Sequence, residues 1–378
     1  MTKINILMIV LFVLLAQGII SAGHFFVYKL ITRAVVFSPL ALLWLKWGMV
    51  FLSFTFLFSM IMTSGPYNYF SKIFSWFSSF WLGTVLWLVI GSFLAWLIWR
   101  LAYILNFNFS LQALLLPLLL LAFLLSLYGL WNSYQIKIRQ VEIPLRDLPD
   151  YWLDKKVLLL ADTHFGLIRN EGFARRVVEE INKQEPHIVL FSGDMYDGPV
   201  IDYWAVAEPF KEIKAPLGIV FTTGNHEEYR NRKEFIEAMS QAGFRVLENE
   251  SLDIEGIRFL GINDSDGRNA ETQAAVLEDL LFDQPKGPLI LLKHDPTYPD
   301  GVDDFGIDLQ VSGHTHGGQT WPITAITRLI YKERTAGLSR YGNLHIYTTT
   351  GVGTWGPPQR IGSNSELVVI KLIKEPTQ

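Results

Sequence analysis

The sequence predicts an α/β domain that follows an all-α region of four helices, and the distribution of charge separates the two regions. Residues 1–141 contain eight Lys or Arg residues and no Asp or Glu, and the first carboxylate is Glu142. The chain has 32 basic and 36 acidic residues, so 24 basic residues and all 36 acidic ones lie from Glu142 onward. The apolar pattern changes at the same point, from long runs to short strands that alternate with helices. We therefore divide the chain into residues 1–135 and residues 136–378.

Four apolar runs fill the first region, at about residues 4–23, 40–62, 76–98 and 111–131. Each holds about 20 residues, the length that a helix needs to cross the hydrocarbon layer of a bilayer. Helices in a soluble core usually keep a polar face, which these runs lack. A cleaved signal peptide is an alternative for the first run, because Lys3 precedes it and small residues occupy 21–23. Three later spans favour a retained anchor, so we predict a multi-pass membrane protein.

Basic residues beside the spans predict the orientation of the chain. An even number of spans places both chain ends on one side of the membrane, and that side carries slightly more basic residues, as cytoplasmic sides do. We therefore expect residues 136–378 to lie in the cytoplasm. The basic residues on that side are Lys3, Lys72, Lys137, Arg139 and Arg146, and those on the other side are Lys29, Arg33, Lys46 and Arg100.

The second region begins with an α/β rhythm. Residues 156–161 form a continuous apolar stretch typical of a buried strand, and strands alternate with helices as far as residue 241. Beyond that point strands follow one another with few helices between them, which suggests a second sheet. The predicted strands are 156–161, 187–191, 217–222, 246–248, a hairpin over 252–261, 289–292, 309–311, 344–348 and 366–372, and the predicted helices are 171–182, 232–241 and 271–281.

Short segments at the ends of predicted strands carry the side chains that bind metal ions. Five of the eight histidines lie in these segments. Side chains two positions apart in a strand point the same way, so we expect the D-x-H pair and the H-x-H pair each to face one ion. The segments are Asp162-x-His164, Gly193-Asp194-x-x-Asp197, Asn225-His226-Glu227, Lys293-His294 and His314-x-His316.

The chemistry of these side chains narrows the choice of metal. Imidazole, carboxylate and amide groups together suit Zn²⁺, Mn²⁺ or Fe better than Ca²⁺ or Mg²⁺. The chain has no cysteine, so thiolate ligands are excluded. Two ions about 3.5–4 Å apart lower the pKa of a water between them and clamp a phosphoryl group. The segments therefore predict a two-metal site that cleaves phosphoesters.

The ordered set DTH, GDMYD, GNHE, KH and GHTHGG resembles the calcineurin-like metallophosphoesterase superfamily. The resemblance covers roughly residues 155–372. The finer spelling, GNHEEY, SGHTHGGQ and TGVGTWGPPQRIGSNSEL, is similar to the membrane-anchored bacterial branch that includes YaeI and YkuE. The resemblance implies a four-layer αββα sandwich behind the transmembrane region, in a bacterial cytoplasmic (inner) membrane.

The resemblance also implies a role for each residue of the segments. It implies hydrolysis by attack of a hydroxide that bridges two divalent ions, Mn, Zn or Fe. His226 matches the catalytic imidazole of the family, and Asp197 matches the carboxylate that orients it. Arg169 and Arg360 are further candidates for binding the substrate phosphate, with an ordinary solvated arginine as the alternative for each. One metal would be held by Asp162, His164, Asp194 and His316, and the second by Asp194, Asn225, His294 and His314.

The substrate is open to three interpretations. A membrane anchor beside a hydrolytic site favours a phosphodiester or pyrophosphate on a lipid. The resemblance permits UDP-2,3-diacylglucosamine as that substrate, because members of the superfamily cleave its pyrophosphate. A broad phosphodiesterase or phosphatase for soluble esters is the second interpretation, and a non-catalytic membrane sensor is the third. The acidic excess of the second region argues against nucleic acid as a partner. The sequence does not indicate an oligomeric state.

Overall fold

The computed structural model describes residues 3–65, 68–198, 201–228 and 232–375. It divides into two compact units. The first contains Met1–Trp131 together with the short segment Gly356–Gln359, and the second contains Asn132–Trp355 and Arg360–Gln378.

The first unit is built on four long helices, as the sequence predicts. All four are long and apolar enough to cross a membrane. They extend beyond the predicted spans because polar and aromatic flanks continue the helical hydrogen bonding; α3 alone has 36 residues. Ser38 and Pro39 explain where the second helix begins, since the Ser38 hydroxyl accepts the Ala41 N–H and Pro39 suits a first turn. The helices are α1 Lys3–Ala34, α2 Pro39–Met62, α3 Tyr69–Ile104 and α4 Leu111–Ser133.

The segment Gly356–Gln359 is distant in sequence from these helices but belongs to the same unit. Gln359 Nε2 donates a hydrogen bond to the Phe80 carbonyl oxygen of α3 at 3.1 Å. Gly83 leaves room for this contact, because a Cβ atom there would overlap the Gln359 side chain. The predicted division at residue 135 places these four residues in the α/β domain instead. A contact between residues so far apart in sequence leaves no local pattern from which it could be predicted.

The second unit contains two mixed sheets of six strands each. The first has the order β1-β12-β2-β3-β4-β5, and the second has the order β10-β11-β9-β8-β7-β6. Strands β2 to β5 are parallel in the first sheet, and β7, β8, β9 and β11 are parallel in the second. The strands are β1 Ile136–Leu145, β2 Lys156–Leu160, β3 Ile188–Ser192, β4 Ile219–Thr222, β5 Phe244–Val246, β6 Glu250–Ile254, β7 Ile257–Gly261, β8 Leu289–Leu292, β9 Leu309–Ser312, β10 Gly337–Tyr341, β11 Leu344–Thr348 and β12 Ser365–Lys374.

Helices cover the outer faces of both sheets. Asn170 begins α5, because its side chain accepts the Gly172 N–H, and Asn269 begins α10 in the same way through Glu271 and Thr272. The helices are α5 Glu171–Lys183, α6 Tyr203–Ala207, α7 Asn225–Glu228, α8 Arg232–Gln241, α9 Asp264–Gly267, α10 Ala270–Leu280, α11 Asp300–Asp303 and α12 Ile323–Tyr331.

Alternate side chains of the central strands enter different cores. In β2, Leu158 and Leu160 pack with residues of α5, α6 and α8. Val157 and Leu159 of the same strand pack between the sheets, with residues of β8 and β9. A third core joins β8 to α10 and α11. Helix, sheet, sheet and helix therefore form four layers, and the predicted αββα sandwich is confirmed.

The predicted elements of the second unit match the observed ones closely. The helix at 232–241 and the strands at 289–292 and 344–348 have the predicted limits. The prediction lacks the strands β1 and β10, the helix α12 and four helices of four or five residues, α6, α7, α9 and α11. No residue of β10 is buried, and β1 interleaves exposed with partly buried side chains and buries only Ile143 and Leu145, so neither has the continuous apolar stretch of a buried strand.

Candidate metal centre

Seven potential metal ligands lie just beyond the carboxyl ends of neighbouring strands. Strands β2, β3 and β4 run parallel in one sheet, and β8 and β9 run parallel in the other. A hydrogen bond from Ser192 Oγ to the Val311 carbonyl oxygen, at 3.0 Å, joins the two sheets at this edge. Asp162 and His164 follow β2, Asp194 follows β3, Asn225 begins α7 after β4, His294 follows β8, and His314 and His316 follow β9.

The paired ligands are held by left-handed turns and not by strands. Strand β2 ends at Leu160, and Asp162 and His164 have φ values of 52° and 47°. His314 and His316 beyond β9 have φ values of 70° and 52°. The expectation that strand alternation aligns these pairs is therefore wrong. A left-handed backbone costs an L-residue about 1–2 kcal/mol, so hydrogen bonds and packing must hold these turns.

The turns bring the ligand atoms together. His164 Nε2 and His316 Nε2 are 2.9 Å apart, and Asp162 Oδ1 is 3.4 Å from His316 Nε2. Asp194 Oδ2 is 3.1 Å from His294 Nε2 and 3.8 Å from His164 Nε2. Two groups, Asp162–His164–His316 and Asp194–His294–His314, each have ligand atoms within 4.8 Å of one another.

Asn225 completes the second group. Its Oδ1 atom lies 3.1 Å from His314 Nδ1, so an amide oxygen and an imidazole meet at one point. The preceding residue, Gly224, lets the backbone come close to Asp194, because a Cβ atom there would overlap that carboxylate. A side chain at position 224 would therefore displace the Asp194 carboxylate from its place beside His294 and His164.

Two carboxylates of the cluster are buried, and burial disfavours their charged forms. Asp162 and Asp194 are both nearly inaccessible to solvent. Burial raises the pKa of Asp162 to about 7; the neighbouring His294 opposes this shift, and Asp194 adds to it. Burial also favours the neutral form of Asp194, but His294 and His164 together hold its pKa well below the usual range. Cations between the carboxylates would remove this conflict of like charges.

The imidazoles of the cluster suit metal binding. Burial lowers the pKa of His164 and of His314 to about 4, so these rings are neutral and keep a lone pair for an ion at neutral pH. His294 differs, because Asp194 and Asp162 outweigh burial and raise its pKa. Two ring nitrogens that face each other across 2.9 Å, with carboxylate oxygens beside them, are the donor set of a divalent cation. The residues present therefore fit a metal ion.

Glu227 fixes the loops that carry these ligands. Its buried carboxylate accepts the backbone N–H groups of Gly224 at 2.7 Å, Met195 at 2.8 Å and Asp194 at 2.9 Å. One side chain thus ties the GDMYD loop to the GNHE loop. The sequence predicts no role for Glu227, although it stands within the GNHE segment.

His226 lies at the edge of the cluster and remains partly accessible. Its Nδ1 atom is 3.3 Å from Asp197 Oδ1, and its Nε2 atom is 4.0 Å from Asp194 Oδ2. Burial alone would lower the pKa of His226, but the hydrogen bond with Asp197 and the charge of Asp194 outweigh it and raise the pKa to about 9. Asp197 therefore holds the ring in one orientation and favours its protonated form.

Arg268 is a cationic neighbour that the sequence motifs do not reveal. Its Nη2 atom donates to Asn225 Oδ1 at 3.0 Å and lies 3.3 Å from His314 Nδ1. Its Nε atom pairs with Asp264 Oδ2 at 2.6 Å, and the side chain is about one third exposed, at 35%. An arginine so placed reaches both the second ligand group and solvent.

The other two arginines singled out by the sequence are buried. Arg169 donates to the Ser133 carbonyl oxygen at 3.0 Å and stacks over the Tyr134 ring at 3.9 Å. Arg360 donates to the carbonyl oxygens of His316, at 3.2 Å, and Gly353, at 2.7 Å. Both guanidinium groups are thus enclosed by protein atoms, and Arg360 supports the loop that carries His316.

Comparisons with known proteins agree with this geometry. A family model described as calcineurin-like phosphoesterase matches residues 155–318. An uncharacterized metallophosphoesterase of Aquifex aeolicus is 31% identical over 257 residues, a match that covers 67% of this chain and 97% of the relative. The chain belongs to the calcineurin-like metallophosphoesterase family. The predicted resemblance is thereby confirmed, and the protein is a metal-dependent phosphoester hydrolase with a site for two divalent ions.

Other relatives of this metallophosphoesterase also have names that bear on the predictions. A transmembrane protein with metallophosphoesterase domain from Danio rerio is 32% identical over 275 residues, which are 67% of this chain and 61% of the relative. The metallophosphoesterase YkuE of Bacillus subtilis is 29% identical over 236 residues, which are 57% of this chain and 78% of the relative. The four apolar helices of this chain and its similarity to the Danio rerio transmembrane protein indicate a membrane protein.

Replacing Asp194 tests the metal centre. We expect the full chain, purified in detergent with Mn²⁺, to hold about two ions. Asp194→Asn should lower this number, because the Asp194 carboxylate lies 3.1 Å from His294 Nε2 and 3.8 Å from His164 Nε2, one imidazole of each ligand group. Asp266→Asn is the matched control, since Asp266 bonds Asn249 outside the cluster. Metal analysis after gel filtration gives the count; an unchanged count in Asp194→Asn would contradict the shared ligand.

Proposed function

We propose that this metallophosphoesterase hydrolyses a phosphodiester or pyrophosphate bond, with two ions of Mn, Zn or Fe held by seven side chains. The position of Asp194 carries the proposal, because its carboxylate lies within 4 Å of imidazoles from both ligand groups. Bound divalent ions would supply an acidified water and would neutralise charge on the phosphoryl oxygens. One ion would be held by Asp162, His164, Asp194 and His316, and the other by Asp194, Asn225, His294 and His314.

His226 is the proton donor in this proposal. A protonated ring at the edge of the cluster can give its Nε2 proton to the oxygen that leaves the phosphorus atom. Asp197 accepts the Nδ1 proton of the same ring across 3.3 Å, so it fixes the tautomer and the direction of the donating atom. The pair therefore acts as one unit.

Removing the ring should have a larger effect than removing its partner. His226→Ala should lower kcat by about 10²- to 10⁴-fold, the usual contribution of a general acid. Asp197→Asn should lower kcat less, and the double variant should equal His226→Ala alone because Asp197 acts through the ring. Turnover of a nitrophenyl phosphodiester with added Mn²⁺ measures both effects.

Unchanged metal content in the variants is the control for that assay. Additive losses in the double variant would show that Asp197 acts independently of His226. Full activity in His226→Ala would remove the ring from the reaction. Binding of metal by the wild-type chain without any turnover would favour the alternative function, a membrane sensor that uses the site only for binding.

Arg268 binds a phosphoryl oxygen of the substrate in the proposed reaction. Its guanidinium group stands beside Asn225 and His314, is partly exposed, and offers several N–H donors. Arg169 and Arg360 are less suited to this role, because both are enclosed by protein atoms.

Replacement of Arg268 should lower the kcat/KM of phosphoester hydrolysis. A charge-assisted hydrogen bond contributes about 1.5–3 kcal/mol, so Arg268→Gln should lower kcat/KM by about 10- to 150-fold. Arg268→Lys, which keeps the charge but loses the forked geometry, should recover only part of the loss. Arg175→Gln is the control, since Arg175 is half exposed and pairs with Glu171 on α5. Equal kinetics for Arg268→Gln and the wild type would contradict this role.

The substrate we propose is a lipid-linked phosphoester such as UDP-2,3-diacylglucosamine. The four apolar helices support this choice, because they keep the hydrolytic unit at a bilayer. We also propose a bacterial inner membrane with residues 136–378 in the cytoplasm, from the basic residues between the spans. Soluble phosphoesters are the second candidate class, in which the membrane only fixes the location of the enzyme.

A comparison of matched substrates separates the two classes. We expect the full chain in detergent micelles to hydrolyse an acyl-bearing nucleotide sugar with a higher kcat/KM than the deacylated form, because acyl chains bind apolar surface. Hydrolysis of a nitrophenyl phosphodiester by the same sample controls for active enzyme. Equal kcat/KM for the two nucleotide sugars would exclude the lipid-linked class and favour soluble esters.

A further inference from the structure

Helix α12 turns its apolar side chains toward solvent. Thr327 is buried against the rest of the unit, and Thr324 is partly buried. Ile326, Leu329 and Ile330 are 52%, 79% and 65% exposed. A surface helix of a soluble domain normally has the opposite arrangement, with its apolar stripe inward. The reversal indicates that something apolar covers this face.

Two tryptophans extend the exposed apolar surface of α12. Trp321 immediately precedes the helix and is 48% exposed. Trp355 is 60% exposed and is held nearby, because the Gln319 side chain accepts its N–H and donates to its carbonyl oxygen, both at 2.9 Å. We call this surface the α12 face; its residues are Trp321, Ile323, Ile326, Leu329, Ile330 and Trp355.

The charge around the α12 face differs from that of the rest of the unit. Two basic side chains, Arg328 in α12 and Lys332 directly after it, are exposed beside this face, together with one acidic side chain, Glu333. The chain from Glu142 onward has the opposite balance, 24 basic and 36 acidic residues. Exposed basic side chains next to isoleucine, leucine and tryptophan side chains complement an anionic lipid surface.

The α12 face is fixed to the loop that carries two metal ligands. Thr315, which lies between His314 and His316, donates from Oγ1 to the Thr335 carbonyl oxygen at 2.6 Å. The rings of His314 and Tyr331, the last residue of α12, have centroids 6.3 Å apart. Whatever binds the α12 face therefore lies beside the hydrolytic site.

We propose that the α12 face inserts into the interfacial layer of a lipid bilayer. The chain itself brings a bilayer within reach, since α4 ends at Ser133 and β1 begins at Ile136. Tryptophans at the border of an apolar patch, with basic residues beside them, are typical of a surface in the head-group region. The anchored chain keeps a bilayer close to this unit at all times, which favours a lipid surface over a partner protein. This inference does not depend on the identity of the substrate.

Quenching at single cysteines tests the insertion. The chain contains no cysteine, so one thiol can be introduced and labelled with a fluorophore. The full chain carrying Leu329→Cys is reconstituted in vesicles of phosphatidylcholine and phosphatidylglycerol. Lipids with a nitroxide near the head group should quench the label, and iodide present on both sides of the membrane should not. Ile326→Cys, one turn away, should give the same result.

Phe282→Cys is the matched control. Phe282 is also a large apolar residue, 87% exposed, but it lies outside the α12 face. Its label should be quenched by iodide and not by the nitroxide lipids. Iodide quenching at 329 equal to that at 282 would show that the α12 face lies in water and would overturn the proposal. Shielding of 329 and 326 from both quenchers would also overturn it, and would indicate a protein partner or a second copy of the chain.

The measurement is independent of turnover. Absence of nitroxide quenching would contradict only the membrane contact of the α12 face. Absence of phosphoesterase activity would contradict only the proposed function of the metal centre. A chain that hydrolyses phosphoesters with its α12 face in water would therefore contradict only the membrane contact.

Discussion

Two carboxylates buried side by side are the constraint on which the rest of the catalytic unit depends. Asp162 and Asp194 are almost completely inaccessible to solvent, and an isolated buried carboxylate costs several kcal/mol. The imidazoles resolve the conflict only in part, because His294 and His164 hold the pKa of Asp194 low but burial disfavours the charged forms of His164 and His314. Two divalent cations would offset the charge of both carboxylates and would accept the lone pairs of the neutral rings. The fold therefore holds together a cluster of side chains whose proximity is unfavourable in the absence of bound metal.

The backbone conformation around the cluster also brings the ligand side chains together. Asp162, His164, Asp194, His314 and His316 all have positive φ values, which fold their side chains back toward one point. Neighbouring elements stabilise this strain. The Asp162 carbonyl oxygen accepts the Gly353 N–H at 2.8 Å, and the Asp162 carboxylate accepts the His314 N–H at 3.0 Å. Strands from two sheets are required, because no single loop supplies enough contacts to hold so many left-handed residues.

Much of this arrangement can be predicted from the sequence, because its signals are local. Continuous apolar stretches predict β2, β3 and β8, and ligand residues directly after them predict an edge of a sheet. The pairing of Asp162 with His164 was predicted for the wrong reason, since period-two alternation does not continue past the end of a strand. Buried guanidinium groups also escape prediction: Arg169 and Arg360 have no neighbours in sequence that reveal their partners.

Other features depend on contacts between distant residues. Arg268 donates a hydrogen bond to Asn225, which lies 43 residues earlier in the sequence. Gln359 bonds the Phe80 carbonyl oxygen of α3 across a separation of 279 residues. Helix α12 follows a Gly-Gly-Gln-Thr-Trp-Pro stretch that reads as a loop, and its exposed apolar side gives the periodicity of a buried helix. Sequence periodicity reports which side chains share a face, but it does not report what lies against that face.

The central claim is that one carboxylate, Asp194, joins two metal ions. Electron paramagnetic resonance of the Mn²⁺-loaded full chain tests it most directly, because ions that share a ligand couple their electron spins. We expect the spectrum of a spin-coupled manganese pair in the wild type. A spectrum of isolated, uncoupled Mn²⁺ in the fully loaded protein would contradict the account.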